Sequence, residues 1–378
     1  MNARSPRRIT VRRTAIAVTA TVSALSLAAC GVIDSADGSS GSAAPKKGDD
    51  ITVGLLLPDK ETKRFEKFDY PLIKKQVTAL TNGKGEVLYA NAEANAAQQS
   101  KQLEEMIAEK VDVLLVDAVD SKAIAPAVEK ASEAGIPVIA YDRLAQGPID
   151  AYVSHDNELV GEVQGRSIVE ALGTKAATSK VVMINGSLAD PNTARFKDGA
   201  MTELQGKVQI VGSYDTKDWL PEVAKTNMET AIRAVGLSNI DAVYSANDGM
   251  AGAVIDALKE AGASKIPPVT GQDADLAAVQ RIVSGEQYMS VYKSFILEAT
   301  NAASMAVAKV QGRSIEFDAL TRDSVDSPTK KKIPSMLVPV VALTQENIKD
   351  TVIRDGVYTI KDICTPDYAA DCAAINLT

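Results

Sequence analysis

From Ile51 onward the chain alternates short β-branched runs with longer stretches of helical period, which confines its fold more tightly than any other property of the sequence. ITVGLLLP at 51, GEVLYANA at 85, VDVLLVDA at 111, PVIAYDR at 137 and DAYVSH at 150 read as strands. Between them, stretches such as 96–110 set Leu103, Met106 and Ile107 at helical spacing with charges opposite. Strands that are nearly continuous Val, Ile and Leu need cover on both faces, so the pattern implies a parallel sheet between helical layers. It restarts with KVVMINGS at 180, VQIVGSYD at 208, IDAVYSAND at 240, PPVTGQDA at 267 and QYMSVYKS at 287. A last run, SMLVPVVAL at 335, follows a polar stretch (318–332) that breaks the alternation. With 378 residues, 46% of them apolar, the chain has material for two such α/β halves.

The first thirty residues stand apart. Arg4, Arg7, Arg8, Arg12 and Arg13, with no acid among them, precede a small-residue apolar run from Thr14 to Ala29. That is the order of an export signal, and the run falls short of the roughly 20 residues that span a bilayer. It ends Leu27-Ala28-Ala29-Cys30-Gly31, which resembles the box at which bacterial lipoproteins are cut and acylated on cysteine. Cleavage before Cys30 would remove five arginines and take the net charge from −8 to −13. Residues 30–50, rich in Gly, Ser, Ala and Asp, read as a flexible tether. The protein is thus expected outside the cytoplasm, lipid-anchored to the outer face of the cell membrane. There the remaining thiols, Cys364 and Cys372, are expected to pair and pin the tail.

Strong acidity excludes a phosphate-backbone partner, so no nucleic-acid binding is expected. Three cysteines and one histidine, without CxxC or HExxH spacing, give no metal site, and no cofactor is expected. There is no GxxxxGK[ST] loop, no GxSxG elbow, and no GxGxxG behind Gly54. His155 lacks a neighbouring nucleophile motif and reads as structural, so no catalytic residue is expected. Instead, several strands end in polar residues: Pro58-Asp59, Tyr141-Asp142-Arg143, Asn185-Gly186-Ser187, Ser245-Ala246-Asn247-Asp248, Gly271-Gln272-Asp273 and Tyr292-Lys293. In open parallel sheets ligands bind at those ends, although each alone could be turn or capping chemistry. The inventory suits a small polyol: carboxylates accept from hydroxyls, while Arg, Lys and Asn donate. Trp219 in KDWLPE and Phe65 in KRFEKF sit among polar residues, where they either cover the C–H faces of a sugar ring or, as single aromatics near helix starts, pack into the core and staple a terminus.

KRFEKFDYPLIKK at 63, VIAYDRL at 138, YVSHDNELVGE at 152, DWLPE at 218, SANDGMAG at 245, GQDADLAAVQRI at 271, VYKS at 291, IPSMLVPV at 333 and NIKDTVIRDGVY at 347 carry a family resemblance. Over 51 to about 358 the chain resembles the sugar-binding periplasmic binding proteins of bacterial ABC importers, those for xylose or several monosaccharides. The resemblance implies two Rossmann-like α/β lobes with parallel sheets, joined by three crossing segments. Residues 51–155 with 290–335 would form the first lobe, and 156–289 with 336–378 the second. Its implied sugar contacts are Arg64, Phe65, Asp142 and Arg143 from the first lobe, Asp190, Asn192, Trp219, Asn247 and Asp273 from the second, and Lys293 near the hinge. It implies a monomeric receptor, not an enzyme, that passes a monosaccharide to a membrane permease. Phe65 stands where xylose-specific relatives have tryptophan, and Pro191 interrupts an Asn pair, which leaves glucose or galactose beside xylose. The tail from Lys361, with its two cysteines, has no counterpart in the Gram-negative xylose binders.

Overall fold

The computed structural model describes residues 47–378; the expected export signal (1–29), the acylation site Cys30 and most of the tether lie outside the described residues. Its larger sheet contains β1 (Thr52–Leu57), β2 (Glu86–Asn91), β3 (Val113–Val116), β4 (Val138–Tyr141) and β5 (Ala151–His155), all parallel. The apolar residues on both faces of β1 also explain its place inside the sheet. Val53, Leu55 and Leu57 face the layer of α1 (Tyr70–Leu80) and α9 (Phe295–Val310). Leu56 faces α2 (Ala96–Ala108) and α3 (Ala125–Glu133) on the opposite side. Gly54 shares that second face, where a Cβ would lie 2.7 Å from Met106 Sδ and 2.8 Å from Leu114 Cδ2. Packing therefore accounts for this glycine, which carries no nucleotide-binding pattern.

The second sheet has the order β7-β6-β8, formed by Lys180–Asn185 (β6), Gln209–Asp215 (β7) and Ala242–Ser245 (β8). Helices α4 (Asn157–Leu172), α5 (Pro191–Leu204), α6 (Pro221–Val235) and α7 (Asp248–Glu260) bury their apolar residues against it. The run at 267, expected as a full strand, makes only the bridges Val243 to Val269 and Gln272 to Val291. Pro267 and Pro268 open it and cannot donate to a ladder. After the short helix α8 (Leu276–Val283), β9 (Ser290–Lys293) pairs antiparallel with β12 (Val340–Leu343).

The run SMLVPVVAL divides at Pro339, which has no N–H to continue a strand. Its first part belongs to β11 (Ile333–Val338), parallel to β5 in the large sheet; its second part is β12. The polar stretch before it holds the end of α10 (Ser314–Leu320) and an edge strand, β10 (Asp323–Val325), antiparallel to β11. Asp323 Oδ2 there accepts from the Leu337 N–H at 2.9 Å.

Three single residues carry the chain between the sheets. Asp156 joins β5 to α4, Ser294 joins β9 to α9, and Pro339 joins β11 to β12. Asp156 and Ser294 each cap the helix they introduce, accepting from the N–H of Leu159 at 3.1 Å and of Leu297 at 3.4 Å. The second and third crossings thus fall later than the expected boundaries 289/290 and 335/336. Strand pairing decides this: β9 is bound to β12, and β11 to β5 as far as His155.

At the C-terminus, Cys364, which ends α11 (Ile360–Ile363), is bonded to Cys372 within α12 (Ala369–Ala374). Ile363, Cys372 and Leu377 join the cluster of Val279, Ile282 and Val283 on α8. Gln280 Nε2 donates to the carbonyls of Asp362 and Ile363, both at 3.3 Å. Closing so short a loop stabilises by about 2–3 kcal/mol. The double variant Cys364→Ser, Cys372→Ser is expected to lower Tm by several degrees and admit protease at the tail. Differential scanning fluorimetry and limited proteolysis check this; an unchanged Tm would mean that the apolar contacts with α8 suffice.

Candidate functional site

The strand ends of both sheets meet at one pocket with free space of only about 30 Å³, well under the ~300–1,000 Å³ of small-molecule sites, because side chains from the two sides fill it and touch across it. The large sheet's side supplies Thr62, Arg64 and Phe65 from the segment after β1, and Asp142 and Arg143 after β4. Asp190, Asn192, Phe196, Trp219, Asn247, Gln272 and Asp273 come from the second side, with Lys293 from the end of β9, one residue before the Ser294 link.

Local structure explains how these side chains are presented. Asp190 is the N-cap of α5, its Oδ1 accepting from the Asn192 N–H at 2.8 Å, while Oδ2 accepts from Trp219 Nε1 at 3.2 Å. Asn247 caps α7 through the Met250 N–H at 2.9 Å. Capping and lining thus coincide at both residues. Asp142 (φ 54°), Trp219 (φ 58°) and Asp273 (φ 93°) have positive φ, a strain that recurs at ligand sites and persists only where the surroundings enforce it. Gly186 makes room for the indole: a Cβ there would lie 2.1 Å from Trp219 Cη2.

Polar groups from the two sides already touch across the cleft. Arg143 Nε lies 3.0 Å from Asp190 Oδ2, and Asn192 Nδ2 donates to both the carbonyl and Oδ1 of Asp142 at 3.2 Å. Lys293 Nζ is 2.8 Å from Asp273 Oδ1. Burial pushes the Asp142 carboxyl up, but Lys293, Arg64 and Arg143 outweigh it and hold the group below its ordinary value. For Asp190, burial wins over Arg143 and the value rises. Burial opposes the charge on Lys293 as well, yet Asp273 and Asp142 hold it above the usual lysine value. The site therefore offers fixed cations as donors and Asp142 as a firmly ionised acceptor.

All ten residues expected at the site line this cavity: Arg64, Phe65, Asp142, Arg143, Asp190, Asn192, Trp219, Asn247, Asp273 and Lys293. Thr62, Phe196 and Gln272 were not anticipated. Gln272 adjoins Asp273 in the GQDAD turn, and Phe196 lies one turn beyond Asn192 on α5, so proximity in sequence and helical period pointed to both. Trp219 meets Phe196 edge to face, ring centroids 6.3 Å apart. His155 is buried on β5 with no hydrogen bond to either ring nitrogen. Burial, then Lys293 and Arg64, drive its pKa well below the ordinary value, which keeps it neutral.

The Periplasmic binding protein domain family model matches residues 53–314. The D-xylose-binding periplasmic protein of Escherichia coli (strain K12) is 35% identical over 313 residues, 81% of this chain and 91% of that protein. A multiple sugar-binding periplasmic receptor of Rhizobium radiobacter is 32% identical over 328 residues, covering 81% of this chain and 90% of its own. Among solved structures, an ABC transporter solute-binding protein from Clostridium phytofermentans with bound β-D-glucose superposes with TM-score 0.75 at 28% identity, over 82% of this chain and 99% of that one.

Proposed function

The chain belongs to the periplasmic binding protein family, and on that premise we propose that it is the extracytoplasmic receptor of an ABC importer, capturing a monosaccharide between its lobes and delivering it to the membrane permease. D-Xylose is the first candidate ligand, and the protein is a monomeric binding protein held at the outer face of the membrane by a lipid on Cys30. One observation carries the reading: the cavity joins buried acids, guanidinium groups, an ammonium and amides to the rings of Phe65, Phe196 and Trp219. Each sugar hydroxyl donates once and accepts twice, and this mixture satisfies both needs while the rings cover C–H faces. A micromolar complex is worth about −8 kcal/mol, or about −0.8 kcal/mol per heavy atom of a pentose, below the ceiling near −1.5. Because the lining is divided between the lobes, a ligand that bridges them selects the closed form.

A hexose such as glucose or galactose is the second reading. Phe65 favours it, since a phenyl ring in place of the tryptophan of xylose-specific relatives leaves space for a hydroxymethyl group.

Trp219, the sole tryptophan, lines the cavity and reports on it directly. Titration of the purified protein with pentoses and hexoses is expected to change its emission saturably, with micromolar Kd for the preferred sugar. If no sugar altered either emission or Tm, the receptor reading would fail. A hexose binding tighter than D-xylose would decide for the second reading.

A further inference from the structure

Arg64 is the most deeply held charge at the site, and its donors divide unequally. Nε donates to Asp69 Oδ2 at 2.8 Å and Nη2 to Asp69 Oδ1 at 3.1 Å, while Nη2 also donates to Glu298 and lies 3.4 Å from the Tyr141 hydroxyl. Tyr141 Oη in turn donates to Asp69 Oδ1 at 2.7 Å. Nη1 is buried without a hydrogen bond; Asp142 Oδ2, on the cavity wall, is 3.3 Å away but poorly aligned. A guanidinium has five donors in a rigid plane, so anchoring Nε and Nη2 fixes where the two on Nη1 point.

We propose that Glu298, with Asp69 and Tyr141, is a positioning residue that locks the plane of Arg64 so that Nη1 is presented to the monosaccharide. This rests on the receptor reading above and adds residues that do not line the cavity. Glu298 lies in the first turn of α9, just past the Ser294 link, and is fully buried. Around it stand Arg64 and Asp69 from the segment leading into α1, Tyr141 and Asp142 at the end of β4, Tyr152 and His155 on β5, and Lys293 on β9. Burial lifts its carboxyl to about 8 against the pull of Arg64, and its Oε2 accepts from Nη2. An amide can do the same. In Glu298→Gln the amide oxygen takes the place of Oε2 and accepts from Nη2, while the NH2 takes the place of Oε1, which has no hydrogen-bond partner.

Isothermal titration of the purified protein with D-xylose and D-glucose tests the assignment. Glu298→Ala is expected to weaken binding about 10-fold, Glu298→Gln to recover most of that loss, and the effect to vanish, within about 2-fold, beside Arg64→Lys, which has no plane to fix. Should Glu298→Ala fail to fold, Tyr141→Phe in the same two backgrounds is read by the same criterion. Equal losses in both Arg64 backgrounds, or Glu298→Gln binding as poorly as Glu298→Ala, would overturn the proposal. Failure of the receptor reading looks different: the wild-type protein would then bind neither sugar.

Discussion

Asp273→Ala is expected to weaken monosaccharide binding by about 10³-fold or more while the protein stays folded. On the receptor reading the carboxylate supplies acceptors to sugar hydroxyls, and each hydrogen bond to a charged group contributes about 1.5–3 kcal/mol. Two such bonds lost, a combined loss near 4 kcal/mol, correspond to about 10³ in Kd. The carboxylate also balances Lys293 at 2.8 Å, a pair present with or without ligand, so its loss lowers Tm rather than affinity. Alanine tolerates φ 93° less well than aspartate, so a modest fall in Tm is expected beside the lost affinity. Circular dichroism and Tm should show a folded protein, and calorimetry the lost affinity. Asp273→Asn, which keeps the shape and a single acceptor, should fall between the two. Wild-type affinity in Asp273→Ala would remove the residue from the site.

The second large effect lies where α4 crosses α5, beside the cavity residue Phe196, with almost no side chains between the helices. A Cβ on Gly161 would lie 1.9 Å from the Phe196 carbonyl oxygen, and one on Gly199 2.0 Å from that of Glu158. Gly165 is nearly as tight, 2.7 Å from the Ala200 carbonyl oxygen. The obstructing atoms are backbone, so no rotamer change relieves the clash. Gly161→Ala would gain about 1 kcal/mol in helix propensity, yet it is expected to cost at least 3 kcal/mol net, because the helices must separate along their length. Denaturant unfolding measures this. Gly249→Ala on α7 is the control: its nearest atoms lie at 3.9 Å, and it should be neutral or mildly stabilising. Equal behaviour of the two variants would show that the second lobe repacks around the extra methyl.

What the sequence made legible and what it hid divide along a physical line. Strand ends such as YDR at 141 and SAND at 245 are local, since polar residues closing an apolar run must sit at the edge of the sheet. The residues that line the cavity lie there and in the loops that follow. The glycine crossing was not visible, because Gly161 and Phe196 are 35 positions apart and nothing in either neighbourhood announces the other. Glu298 was hidden for the same reason: in FILEAT it reads as one charge on an apolar helix, and only folding places it against Arg64 and His155. SMLVPVVAL misled in the opposite way. Its uniform apolar character suggested one strand, whereas a single proline assigned its halves to different sheets.

The three one-residue links have a mechanical consequence. Asp156 and Ser294 are fixed as helix caps and Pro339 is restricted in φ, so no crossing has slack to pay out. Sliding one sheet past the other would tear a cap or strain a strand, whereas rotation about the line of the links needs only a few backbone torsions to change. A swing about the line of the links is therefore the expected soft motion between the lobes. Lengthening a link by two glycines would introduce play into the bearing, and the first trait to suffer would be the rate at which the shut state lets go.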